Sequence, residues 1–259
     1  MTEELLKPFL ERPENAGLFL DFDGTLSEIV HVPSEARPVS GARGLLETLA
    51  ARFALVSVVS GRSAHQLLEW LGEEIEIWGV HGAEKAVEGR VEPIDAVTPF
   101  LELMATVRAE AERRIEELEL PGVFVEDKGV MLALHFRAAE DVEAARRALD
   151  ELAGSLAVEH GLKRAGGRLA FELRPPIDVT KADIVLTRTR EEKLSAAMFV
   201  GDDRVDIPAF DALDELAEEG VATVRVAVDS SEAPAELLKR ADLVVKGPAG
   251  TIALLSRLT

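Results

Sequence analysis

Leu18-Phe19-Leu20-Asp21-Phe22-Asp23-Gly24-Thr25-Leu26 carries an apolar run that stops at two carboxylates spaced i, i+2, followed at once by a Gly-Thr turn. The run reads as a buried strand. Alternate strand residues point the same way, so Asp21 and Asp23 are expected to share one small volume at a strand's carboxyl end. In open α/β sheets, ligands bind at that edge. Two like charges held this close need a cation or a shared proton. An acidic turn that merely closes a strand has the same local pattern, so the reading depends on what the rest of the chain sets beside it.

Outward from this stretch, apolar runs alternate with helical patterns, which points to a parallel sheet. Strands are expected over 18–23, 53–60 and 75–80, and helices over 41–51 and 63–71, the second capped by Ser63. Residues 84–93 read as a hairpin turning at Gly89. The texture then changes to a helix over 96–120, strands over 123–127 and 130–136, a helix over 138–160, and short strands over 162–164 and 168–173. That α-β-β-α-β-β block has hairpins in place of alternation and reads as an inserted α+β module, with 93–99 and 175–178 as hinges. From 179 the first pattern resumes: helices over 180–189, 207–219, 234–240 and 248–258, strands over 196–201, 221–228 and 243–245. The expected fold is α/β, a core with a mainly parallel sheet built from 1–95 and 178–259 and split by an insertion over 96–177.

The 259 residues include 29 basic and 48 acidic side chains, a net charge of −19. This argues against nucleic acid, whose phosphate backbone is gripped by a basic face. It also makes binding of an anionic substrate depend on a few well-placed Lys and Arg residues or on a metal. Acid-rich helical stretches such as 109–119 read as solvated faces. Cysteine is absent, which rules out disulfides and thiolate metal sites. No apolar run reaches the length of a membrane span, and the acidic start Met1-Thr2-Glu3-Glu4 lacks the layout of a signal peptide. A cytoplasmic protein is expected.

Three more loops fall where the first motif falls, after an expected core strand or opening a core helix. Ser60-Gly61-Arg62 offers a hydroxyl, a glycine and a helix start, which suit a phosphate and equally suit a turn with its cap. Gly201-Asp202-Asp203-Arg204-Val205-Asp206 would complete an oxygen-rich Mg²⁺ site with Asp21 and Asp23, or is simply an acidic helix start favoured by the dipole. Lys181 opens a helix, where a cation is electrostatically misplaced. Taken together and in this order (DxDGT, serine, lysine, GDD), the motifs resemble the haloacid-dehalogenase-like phosphatase superfamily. The resemblance implies a Rossmann-like core with an inserted cap and Mg²⁺ as cofactor. It implies Asp21 as a nucleophile that forms an aspartyl-phosphate and Asp23 as general acid and base. Ser60 and Lys181 would hold phosphate oxygens. The Mg²⁺ would sit on the Asp21 carboxylate, the Asp23 backbone carbonyl and Asp202, with Asp203 as ligand or support and Asp206 as support.

Longer strings resemble one branch of that superfamily, the trehalose-6-phosphate phosphatases. These are residues 20–38, Val125-Glu126-Asp127-Lys128-Gly129 with His135-Phe136-Arg137, Phe171-Glu172-Leu173-Arg174-Pro175, and Gly79-Val80-His81-Gly82-Ala83-Glu84. The resemblance implies substrate contacts from Gly61, Arg62, His81, Gly82, Glu126, Lys128, Arg137 and Glu172, with the inserted module acting as a lid that reads the leaving group. Glu126 and Lys128, at i and i+2 of one expected strand, can face one cleft, and Arg137 ends the partner strand. On their own, Glu126, Lys128 and Arg137 also suit a salt bridge on a wet sheet face, Arg174 a solvated hinge and His81 a satisfied loop histidine.

The chain departs from the family pattern at Lys181-Ala182, where Lys-Gly is usual, and at Ile207, where an acid is usual. The implied activity is hydrolysis of trehalose 6-phosphate to trehalose and phosphate, with a trehalose-6-phosphate synthase as functional partner. The rivals are a mannosyl-phosphoglycerate, sucrose-phosphate or broad sugar phosphatase, and a non-catalytic sugar-phosphate sensor. Retention of Asp21, Asp23, Ser60, Lys181 and Asp202 counts against the sensor.

Overall fold

The structure, a computed structural model, describes residues 2–30, 35–167, 169–230 and 233–259. Residues 31–34 of the 20–38 string, and Arg168 in an expected strand, lie outside the described residues. The chain forms two compact units, Met1–Glu92 with Val179–Thr259, and Pro93–Asp178; the insertion read from sequence spans 96–177.

In chain order the first unit holds α1 (Thr2–Glu11), β1 (Ala16–Leu20), α2 (Ala42–Ala50), β2 (Leu55–Val59), α3 (Ala64–Leu71), β3 (Glu76–Gly79), β4 (Glu84–Val87) and β5 (Arg90–Pro93). The second holds α4 (Leu101–Glu117), β6 (Phe124–Asp127), β7 (Leu132–His135), α5 (Val142–His160), β8 (Lys163–Gly167) and β9 (Ala170–Arg174). The first then resumes with α6 (Lys181–Glu191), β10 (Ala196–Gly201), α7 (Ile207–Glu218), β11 (Ala222–Asp229), α8 (Ala235–Arg240), β12 (Leu243–Lys246) and α9 (Gly247–Leu255).

The main sheet runs β12-β11-β10-β1-β2-β3-β4-β5. Its pairs from β12 to β3 are parallel and β3–β4 is antiparallel. Strands β1, β2 and β10 are buried along their whole length, as strands covered on both faces must be. β1 shows the period of two: Leu18 and Leu20 join a core with residues of α1, α2, α3 and α9, while Phe19 joins one with residues of α6, α7 and α8. The chain leaves β1 toward β2 on one side and β10 toward β11 on the other. The carboxyl ends of β1 and β10 therefore form the switch point where ligands of such sheets bind.

The second unit is an antiparallel sheet in the order β6-β7-β9-β8. Leu132, Leu134, Phe171 and Leu173 pack against Met104, Val107 and Ala111 of α4 and Leu149, Leu152 and Leu156 of α5. One face is thus core and the opposite face carries the alternate residues.

Several boundaries differ from the sequence reading. The first long helix begins at Leu101 after a 3-10 turn at Thr98–Phe100, because a residue before proline, here Thr98 before Pro99, is disfavoured in the α conformation. α5 begins after Asp141, whose carboxylate accepts from the Ala144 N–H at 2.9 Å. β7 ends at His135, so Arg137 lies beyond the strand and does not end it, and Lys128 follows the end of β6. α1 has no counterpart in the sequence reading. Leu6 and Phe9 make it a helix with one buried stripe.

Candidate active site

Asp21 directly follows β1, and its N–H still reaches the Val200 carbonyl of β10 at 2.8 Å. Its carboxylate is buried and accepts from Lys181 Nζ at 2.5 Å. The same ammonium donates to Asp206 Oδ1 at 2.6 Å. Lys181 is the first residue of α6, 5% exposed, and these two carboxylates outweigh its misplacement at a helix N-terminus. Burial opposes the charge on Lys181, but its pairs with Asp206 and Asp21 raise its pKa above the ordinary value. The other oxygen of Asp206 accepts from the N–H groups of Asp202 and Asp203 at 2.9 and 3.0 Å. Asp206 therefore folds its own loop back onto the strand end.

Asp202 is buried, and its Oδ2 accepts from Ser230 Oγ at 2.8 Å. Burial pushes the Asp202 pKa up to about 7, against the Ser230 hydrogen bond, which lowers it. Burial likewise raises Asp21 well above the usual carboxylate range, against the attraction of Lys181. Two glycines make the approach feasible. A Cβ on Gly24 would overlap the Asp202 carboxylate, and one on Gly201 would overlap that of Asp206. Asp203 lies apart: its carboxylate accepts from the Arg204 N–H and caps the 3-10 turn Arg204–Asp206.

One carboxylate oxygen from each of Asp21, Asp202 and Asp206 lies within 4.8 Å of the others. Three buried carboxylates face one ammonium, and all the donors are oxygen. That set fits a hard divalent cation such as Mg²⁺.

The β2 and β3 ends supply the other wall. Ser60 is buried, and its Oγ accepts from the Arg62 N–H at 3.2 Å. His81 N–H donates to the Ser60 carbonyl at 2.9 Å, and Val80 N–H to that of Arg62 at 2.8 Å. Val80, His81 and Gly82 all have positive φ, at 48°, 58° and 93°, which is costly for a β-branched residue. The kink packs the His81 imidazole onto Gly61, where a Cβ would sit only 2.7 Å from Cε1. Glu84, buried, accepts from the Ala64 N–H at 2.6 Å and Ser63 Oγ from Gln66 N–H at 3.3 Å, which together cap α3. Arg62 forms a bidentate pair with Asp23, Nε to Oδ2 at 2.8 Å and Nη2 to Oδ1 at 2.7 Å.

On the second unit, register aligns Glu126 with Ala133 and Ala133 with Glu172, so both glutamates occupy the face away from the helices. His135, absent from the site read in sequence, joins Glu126 at 2.8 Å. Lys128 Nζ lies 3.8 Å from Glu126 Oε2, and Arg174 Nε donates to Glu172 Oε2 at 3.0 Å. Ser230 was also missed. It follows β11, the neighbour of β10, and the strand-end rule that found Asp202 reaches it too.

The acidic pair after β1, the serine after β2, the buried lysine and the Gly201-Asp202-Asp203 end of β10 stand along the carboxyl edge of a doubly wound sheet, the arrangement that the resemblance to haloacid-dehalogenase-like proteins implies. In fold the chain is similar to a phosphatase of the haloalkanoate (HAD) superfamily from Bacteroides thetaiotaomicron, with a TM-score of 0.54 and 19% identity over 94% of each chain. It is also similar to a crystal structure of a trehalose-6-phosphate phosphatase related protein, with a TM-score of 0.76 and 23% identity, covering 93% of this chain and 96% of that one. The family model for trehalose-phosphatase matches residues 19–242. The trehalose-phosphate phosphatase of Mycolicibacterium paratuberculosis is 37% identical over 207 residues, 76% of this chain and 51% of the relative. The chain belongs to the trehalose-phosphatase family, and it spans about half the length of the curated relatives it matches.

Proposed function

We propose that this chain is a divalent-cation-dependent phosphatase that hydrolyses trehalose 6-phosphate to trehalose and phosphate. The observation that carries this reading is the buried Asp21–Lys181–Asp206 chain beside Asp202 at the switch point of a trehalose-phosphatase family member. Asp21 attacks phosphorus as the bond to the sugar oxygen breaks, leaving an aspartyl-phosphate. Asp23 gives its proton to the departing oxygen, then takes one from the water that hydrolyses the acyl phosphate. Lys181 and Ser60 hold the remaining phosphate oxygens, and Asp206 keeps Lys181 charged and aimed. Asp21, Asp202 and the Asp23 backbone carbonyl would hold Mg²⁺, with Asp206 in support, and the cation so held would supply charge neutralisation for phosphoryl transfer.

We assign recognition of the disaccharide to the face of the second unit's sheet that points away from α4 and α5. Glu126 and Glu172 accept sugar hydroxyls there, with Lys128, His135 and Arg174 fixing the two carboxylates. The test is phosphate release from a panel of sugar phosphates, with Mg²⁺ and with EDTA. EDTA-sensitive release from trehalose 6-phosphate, lost in Asp21→Asn, is the expected result. Equal rates on glucose 6-phosphate would remove the substrate assignment and leave the chemistry standing, and tight binding without release would favour a sensor.

A further inference from the structure

The other carboxylates of the site are buried, but the Asp23 side chain is 44% exposed. An exposed carboxylate on a turn rotates freely unless something fixes it. Here the fixing group is the Arg62 guanidinium, whose fork matches a carboxylate with two parallel bonds. Arg62 is in turn held on several sides. Its side chain is 11% exposed, Nη1 donates to Gln66 Oε1 at 3.2 Å, and its Cζ lies 5.5 Å from the Phe22 ring centroid and 5.3 Å from that of Trp70.

The two rings stack on each other at 5.4 Å. Phe22, between Asp21 and Asp23, is fully buried and cannot drift. Gln66 and Trp70 are spaced i, i+4 and so lie on one face of α3. The helix thereby presents an amide and an indole to the guanidinium that precedes it. A second guanidinium, that of Arg37, lies 5.2 Å from the same indole. Trp70 thus acts as a cation platform in addition to its packing against the core.

We propose that Trp70 is a positioning residue for the acid–base step: with Phe22 and Gln66 it seats Arg62, which aims the Asp23 carboxylate at the oxygen of the leaving alcohol. This rests on the reading of Asp23 given under Proposed function. The proton moves from Asp23 to the sugar oxygen as the P–O bond breaks. In that first step, which kcat/KM reads, loosening the seat therefore slows only substrates whose leaving group needs the proton. The later attack of water is common to all substrates and is read in kcat.

The leaving group provides the test. Trehalose departs as a basic alkoxide unless protonated, whereas p-nitrophenolate leaves readily without a proton. In Trp70→Leu, kcat/KM for trehalose 6-phosphate is expected to fall about tenfold, and that for p-nitrophenyl phosphate by no more than about twofold. Trp70→Phe, which keeps a ring under the guanidinium, should restore most of the loss. Should Trp70→Leu fail to fold, Gln66→Ala carries the same comparison through Nη1. An equal fall on both substrates means Trp70 is merely structural and overturns the proposal; no fall on either does so too. A wild type that spares trehalose 6-phosphate but hydrolyses aryl phosphates defeats the assigned substrate alone. The seat is then judged by the ratio of phenyl to p-nitrophenyl phosphate, with the same two outcomes deciding. A wild type inactive on every ester defeats both readings.

Discussion

At the scale of single residues, the site is a balance of buried charge. Lys181 is the cation on which Asp21 and Asp206 depend, at 2.5 and 2.6 Å. Lys181→Met leaves those carboxylates uncompensated, and removal of one partner from a buried ion pair costs about 3–5 kcal/mol. Urea unfolding of metal-free protein should show that loss, and added Mg²⁺ should recover part of it; an unchanged midpoint would mean that Lys181 bears no structural charge. Asp21→Asn behaves differently. It keeps the shape and the Lys181–Asp206 pair, so the melting curve is expected to stay close to wild type, while turnover is expected to fall at least about a thousandfold, as loss of the nucleophile proposed above would cause. Most of these residues were legible in sequence because the chemistry sits at strand ends and strand ends are marked by abrupt loss of hydropathy. His135 and Trp70 were not legible, and Ser230 was marked only by its place after a strand. A serine after a strand, a histidine in a hairpin and a tryptophan on a helix are ordinary features until tertiary structure sets Asp202, Glu126 and Arg62 beside them.

At the scale of elements, close backbone approach builds the site. β10 ends in Gly201 because the loop after it must fold back for Asp206 to reach the N–H groups of Asp202 and Asp203. Gly201→Ala puts a methyl into the Asp206 carboxylate. It is expected to cost about 1–3 kcal/mol, as other overpacked sites do, and to weaken metal binding, which calorimetric titration with Mn²⁺ would read. Wild-type affinity in that variant would show that the loop can shift without disturbing its ligands. The fold was legible for the same reason as the site: fully buried strands write continuous apolar runs, and the hairpins of the second unit break that alternation visibly. Helix starts were less legible. α4 and α5 begin later than the hydropathy pattern does, because Pro99 and the Asp141 cap act locally and against a periodicity that is already running. α1 is faintly marked in sequence because its buried stripe is only Leu6 and Phe9, one helical turn apart, with Pro8 between them.

At the scale of the whole molecule, the burial of these acids couples folding to pH. The Asp202 pKa rises from 3.8 in the unfolded chain to about 7 in the metal-free fold. Between those values the folded state holds a proton that the unfolded state has lost, so stability must fall as pH rises through this window. At about 1.4 kcal/mol per pH unit the loss reaches at most about 4 kcal/mol, and Asp21 shifts in the same direction. A divalent cation held at the proposed site would reverse the sign, since it would bind the deprotonated carboxylates and stabilise the fold by mass action. The thermal midpoint of metal-free protein should therefore drop between pH 5.5 and pH 8, and Mg²⁺ should raise it far more at pH 8. A net charge of −19 offers a competing cause, because any salt relieves self-repulsion and does so more at high pH. Two controls separate them: NaCl at matched ionic strength reproduces screening without site binding, and Asp202→Asn removes the titrating group while changing the total charge by a single unit. A Mg²⁺ gain that persists unchanged in Asp202→Asn, or that NaCl matches, would assign the effect to the surface. A gain that vanishes with Asp202 would place it at the switch point between β1 and β10.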